Sequence, residues 1–178
     1  MQYLAPDALA RARRVRLVIF DVDGVLTDGR LWYGAGGEEL KAFHAFDGHG
    51  IKLLLMAGLK TAIISGRKSQ AVEERAKELG IEHVVQGADD KRKAFLALVR
   101  KLKVKAAACA YMGDDVVDLP VLTRCGFACA PREAPEDVRH HVHFIPTAAA
   151  GHGAAREACE FILEAQGKLG RVLARFRR

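Results

Sequence analysis

Four consecutive strand-forming apolar residues, Leu17-Val18-Ile19-Phe20, run without a polar break and stop at Asp21, with Asp23 and Gly24 directly after. A strand apolar on both faces belongs in the middle of a sheet covered on both sides, because a half-exposed strand would alternate polar and apolar positions. In such α/β sheets ligands bind beyond the carboxyl ends of the strands. Two carboxylates at that edge, with Gly24 letting the backbone turn away, point to a hard-cation site and to a carboxylate able to attack phosphorus.

The remainder of the chain alternates short apolar runs with helical patterns. Asp7 to Arg14 reads as a short helix after Pro6. The segment RLWYGAGGEELKAF predicts a β-hairpin over about 30–43, too short to build an independent cap domain. A helix follows, with Asp47 as its N-cap and Gly58 at its end. Strands are expected at 60–64, 83–86, 106–112, 127–130 and 143–145. Between them lie a helix capped by Ser69 and one opened by Asp89 or Asp90 and carrying Lys91. A helical turn is expected over 116–123, with Pro120 in a first turn or at a kink. A last helix spans 157–166. This alternation predicts α/β architecture: a single three-layer, Rossmann-like domain over residues 1–178, with a parallel central sheet. The stretch AAAGHGAA around position 151 is the one flexible-looking segment.

Hydrophobic content of 50% with 28% charged residues is the balance of a soluble globular protein. No apolar run approaches the roughly 20 residues that cross a bilayer, and the N-terminus lacks an apolar signal core, so no membrane partner and a cytoplasmic location are expected. The net charge of +6 sits at the two ends: four arginines against one acid in residues 1–16, and five basic residues in the tail 168–178. The intervening chain is slightly acidic and aromatic residues make up 7%, which argues against a nucleic-acid partner. The tail reads as solvated or as docking on a neighbouring subunit. Cys109, Cys125, Cys129 and Cys159 show no zinc spacing and read as buried thiols. His140, His141, His143 and His152 have no carboxylate pattern to frame a metal.

Polar residues follow four of the strands. Asp21 and Asp23 follow the first, Ser65 the second, Lys91 opens the helix after the third, and Asp114, Asp115 and Asp118 follow the fourth. Parallel strands present their carboxyl ends to one edge, so these groups converge. Three acids within five residues, in YMGDDVVDL, are hard to explain as turn chemistry alone.

The string DVDGVLTDG, with SGRKS, QGADDK, GDDVVDLPVL and GAAREACEFILEAQGKL, resembles the haloacid dehalogenase-type phosphatases. Among them the chain is similar to the small cap-less 3-deoxy-D-manno-octulosonate 8-phosphate phosphatases, and the likeness covers Val15 to about Leu169. The resemblance implies Asp21 as nucleophile, Asp23 as general acid and then base, and Ser65 and Lys91 on the phosphoryl group. It implies Mg²⁺ held by Asp21, Asp114 and the Asp23 carbonyl, with Asp115 and Asp118 behind them. Such an acid must carry a proton near neutral pH, which burial and neighbouring carboxylates would favour. Substrate contacts would fall on Asp23, His44, Asp47, Gly48, Lys52, Arg67, Arg75 and Lys91, and the implied substrate is a small phosphorylated acid sugar. In that family one subunit's hairpin leans over its neighbour's site, so self-association as a homotetramer is expected. A nine-carbon ulosonate 9-phosphate is the rival substrate, and a non-catalytic regulatory relative the rival of another class. Lys52, the His44-Ala45-Phe46 segment and His152 depart from the family's commoner residues.

Overall fold

The computed structural model describes residues 3–177. Strands β1 (Tyr3–Leu4) and β2 (Leu17–Phe20) are separated by helix α1 (Ala8–Ala12). A two-stranded antiparallel hairpin, β3 (Trp32–Tyr33) and β4 (Glu39–Leu40), comes next. Then follow α2 (Ala45–Met56), β5 (Lys60–Ile64), α3 (Gln70–Leu79), β6 (His83–Val85), α4 (Lys91–Leu102) and β7 (Cys109–Met112). The remaining elements are α5 (Leu119–Leu122), β8 (Phe127–Cys129), α6 (Glu136–Arg139), β9 (Phe144–Ile145), α7 (Ala154–Ala165) and α8 (Leu169–Leu173).

The sheet order is β1-β9-β8-β7-β2-β5-β6, parallel except for β1, which pairs antiparallel with β9 at the edge. As the unbroken apolar run requires, β2 is central. Val18 and Phe20 face a cluster built with α1, α2, α3 and α7, whereas Leu17 and Ile19 face one built with α4, α5 and α6. Each such Leu, Ile or Phe removed from water contributes about 1.5–3 kcal/mol, and the two clusters make the three layers. From β2 the chain moves to β5 on one side and later returns to β7 on the other. The loops after β2 and β7 therefore diverge and leave a crevice between them. Phe20 is in register with Met112, and the Asp21 N–H donates to the Met112 carbonyl at 2.9 Å. That register puts the acids after the two strands side by side.

Several expectations are corrected. Strand β1 is an addition that two residues could not signal. The N-cap of α2 is His44, whose ring accepts the Phe46 N–H at 3.2 Å, not Asp47, which lies buried in the first turn. Ser69 stands at the N-cap of α3 without a side-chain bond, while Asp90 does cap α4 through the Lys93 N–H. Residues 106–108 form a 3₁₀ turn rather than strand, and Pro120 sits in the first turn of α5 without a kink. The last expected helix begins earlier, at Ala154. The tail adds α8, which buries Val172, and Phe176 packs edge-on against the His49 ring. The glycines around position 151 are packed rather than loose. The Gly151 N–H donates to the Val25 carbonyl at 3.1 Å, and a Cβ there would lie 2.5 Å from Thr27.

Candidate active site

Asp21 closes β2 and Lys91 opens α4, and their side chains pair in the buried crevice. The Lys91 ammonium also reaches Asp118 Oδ1 at 2.7 Å. Asp118 has no exposed surface and accepts four bonds: Lys91 and the Tyr111 hydroxyl (2.5 Å) on Oδ1, and the N–H groups of Asp114 (3.1 Å) and Asp115 (3.3 Å) on Oδ2. It thereby fixes the Gly113-Asp114-Asp115 turn. Burial keeps the Tyr111 hydroxyl protonated, so it stays a donor.

Oxygens of Asp21, Asp114 and Asp118 lie within 4.8 Å of one another. Burial, and then the charge of Asp118, push Asp21 up to about 6, with Lys91 pulling the other way. Burial and the neighbouring Asp21 and Asp118 push Asp114 up to about 7. Two buried carboxylates and a half-buried one facing one ammonium are short of positive charge, and their all-oxygen donor set suits a hard divalent cation. With Asp118 saturated by its own partners, Asp21 and Asp114 keep oxygens for such an ion. Asp115 is exposed and caps the following turn through the Val116 N–H.

The Asp23 side chain points elsewhere. The carboxylates expected around it surround Asp21 instead, and Asp23 faces two cations: Lys41 in direct contact and Arg67 Nε at 3.7 Å. Arg67, after β5, also donates to Glu39 and to the Tyr33 hydroxyl, each at 2.7 Å. The hairpin thus grips two strand-end loops of its own chain. Ser65 is buried at the end of β5 and accepts the Arg67 N–H at 3.4 Å. Lys41, Glu39, Tyr33 and Tyr111 went unnoticed in the sequence. Glu39 and Lys41, two apart and hence on one face of a strand, were the available signal.

The expected sugar-contact residues divide. Asp23, Arg67 and Lys91 stand at the strand edge, whereas His44, Asp47, Gly48 and Arg75 border a second, small recess with Phe43. Asp47 is occupied by the Gly153 N–H at 3.1 Å and the Arg156 N–H at 2.8 Å, tying α2 to the start of α7. Arg75 pairs with Glu78 and lays its guanidinium over Gly48, 2.3 Å from where a Cβ would lie, and Lys52 is exposed along α2. An open cleft of about 540 Å³ leads past Arg30 and His152 to Asp114.

A haloacid dehalogenase-like hydrolase family model matches residues 36–126, about half of the chain. The chain belongs to the haloacid dehalogenase-like hydrolases. Within this family it is 44% identical over 166 residues to the 3-deoxy-D-manno-octulosonate 8-phosphate phosphatase KdsC of Salmonella typhi, covering 93% of this chain and 88% of that protein. The crystal structure of the Moraxella catarrhalis 3-deoxy-D-manno-octulosonate 8-phosphate phosphatase, in complex with magnesium ion, phosphate ion and KDO, superimposes with a TM-score of 0.93. It is 42% identical, with 96% and 98% of the two chains covered. The cobalt-bound phosphatase of Haemophilus influenzae gives 0.86 at 43% identity, covering 89% and 93%. The haloacid dehalogenase-like fold expected from the motifs is therefore the fold observed.

Proposed function

We propose that this chain is a Mg²⁺-dependent phosphomonoesterase that hydrolyses 3-deoxy-D-manno-octulosonate 8-phosphate to the free sugar acid and phosphate, supplying lipopolysaccharide precursor synthesis. The observation that carries the reading is the meeting of Asp21, Lys91 and Asp114 at one strand edge in a chain so similar to phosphatases of that name. Residues 1–178 are taken as one phosphatase domain.

Asp21, Asp114 and the Asp23 carbonyl would hold Mg²⁺, whose charge offsets the repulsion between an anionic nucleophile and a phosphate dianion. The side chains do the rest. An Asp21 oxygen attacks phosphorus, the bond from phosphorus to the sugar oxygen breaks, and the Asp23 proton passes to that leaving oxygen. Water then attacks phosphorus, Asp23 takes its proton, the bond from phosphorus to Asp21 breaks, and phosphate departs. Ser65 donates to a phosphoryl oxygen and Lys91 neutralises the transferring group. Arg67 offers a fork for the substrate carboxylate, with His44, Asp47, Gly48, Lys52 and Arg75 as the further contacts.

Self-association into a homotetramer is part of the reading. Leu31, Trp32, Tyr33 and Leu40 of the hairpin and Phe46 beside it are exposed, and such an apolar cluster suits a protein partner. Light scattering tests the assembly. Four free cysteines and the lack of any membrane-crossing helix among the described residues suit a cytoplasmic protein.

Phosphate release from the eight-carbon substrate is the decisive assay, with a nine-carbon ulosonate 9-phosphate alongside. A higher kcat/KM on the former, lost with chelator and in Asp21→Asn, is expected. Turnover that survives chelation or the substitution overturns the mechanism.

A further inference from the structure

Lys41 lies just beyond β4 on a hairpin whose Trp32, Tyr33 and Leu40 are exposed, yet its own side chain is only 1% exposed. A buried ammonium persists only when carboxylates and hydrogen bonds compensate for lost water. Two carboxylates do so here: Asp23, in direct contact, and Glu39 at 2.8 Å. Burial alone would lower the Lys41 pKa, and the bonds from Asp23 and Glu39 outweigh it and hold the group above its ordinary value. Resting on the assignment of Asp23 as proton donor to the leaving oxygen, we propose that Lys41 is a positioning residue. Anchored by Glu39, it fixes the rotamer in which the Asp23 carboxyl meets that oxygen.

The arrangement suits this task better than a plain counter-ion would. Held from both sides, by Asp23 and by Glu39, the ammonium cannot swing with the Asp23 carboxyl. Glu39 shares the Lys41 charge, and Asp23, Glu39, Lys41 and Arg67 together are neutral. Without Lys41 the one charged partner left to the Asp23 side chain among the described residues is Arg67, at 3.7 Å and itself 42% exposed. The carboxyl would then sample several rotamers, and a displacement of about 1 Å in a catalytic group costs on the order of 10²-fold in rate.

Leaving-group chemistry separates positioning from general damage. A sugar alkoxide departs poorly without a proton, whereas nitrophenolate departs without one, and kcat/KM reports only the steps through that first bond cleavage. Lys41→Met is assayed on 3-deoxy-D-manno-octulosonate 8-phosphate and on p-nitrophenyl phosphate with Mg²⁺. Expected is a loss of about 10- to 100-fold on the sugar ester, with the aryl ester within about threefold of wild type. Asp23→Asn is expected to show the same selectivity with a larger loss, and Lys41→Arg to fall between wild type and Lys41→Met. Equal losses on both esters in Lys41→Met, no loss, or an Arg variant no better than Met overturns the role of Lys41, provided Asp23→Asn is selective. An unselective Asp23→Asn overturns the Asp23 assignment itself. Lys41 follows the two-stranded hairpin and lies outside the seven-stranded sheet, so that sheet is expected to survive its replacement. Circular dichroism checks this, and Lys41→Gln is a second variant judged by the same ratio.

Discussion

The Lys91 ammonium lies 2.7 Å from Asp118 Oδ1 while it also pairs with Asp21, so one buried cation joins the ends of β2 and β7. Asp118 is thus a keystone of the site although its own oxygens are fully engaged.

Asp118→Ala leaves the buried Lys91 with Asp21 as its remaining partner and takes the acceptor from the buried Tyr111 hydroxyl and from the Asp114 and Asp115 N–H groups. Breaking a buried pair from one side costs about 3–5 kcal/mol. Urea denaturation is expected to show a loss of that size, with turnover lost as well. A loss under about 1 kcal/mol, well below the range for buried pairs, would mean that water reaches the orphaned groups.

Gly24 has φ +76°, and a Cβ there would sit 2.1 Å from Asp114 Oδ2. Gly24→Ala therefore combines left-handed strain of about 1–2 kcal/mol with displacement of a proposed cation ligand. Titration calorimetry should find Mg²⁺ affinity weakened at least tenfold. Unchanged affinity would show that Asp114 does not hold the ion.

Asp114→Asn removes one of three mutually repelling carboxylates. In chelator at pH 8 the variant is expected to melt higher than wild type, because the repulsion is relieved. Adding Mg²⁺ at about 100 times its Kd stabilises a binding protein by about 2.7 kcal/mol. That gain should raise the wild-type melting temperature and be missing from Asp114→Asn, reversing the order of the two proteins.

Arg67, and next Lys41, hold the Glu39 carboxyl down to about 2 from an ordinary 4.5. A depressed acid contributes stability above its unfolded pKa and loses it as pH falls through the folded value. The hairpin should therefore loosen between pH 4.5 and about 2. Trp32, the chain's single tryptophan, lies on the hairpin and reports this by its emission. Glu39→Gln is expected to lack that acid transition, and an identical transition in both proteins would place its origin elsewhere.

The central position of β2 was legible because its apolar run admits no exposed face, and the converging acids followed from parallel strands sharing an edge. The N-cap of α2 was not. Asp47 suits a helix start, but the N–H groups of α7 claim its carboxylate, and the cap falls to the His44 ring three residues earlier. Lys41 was equally hidden, since a lysine in a hairpin reads as solvated until Asp23 is seen beneath it.

Local pattern by itself determined the layered α/β architecture, the placement of Asp21 and Asp114 and the family likeness, because hydrophobic period and strand-end chemistry act over a few residues. Only the tertiary structure decided that Asp118 binds Lys91 rather than solvent, that Asp23 faces cations, and that the hairpin closes on its own chain. Those pairings join residues far apart along the sequence, and their strength comes from burial, which no local pattern records.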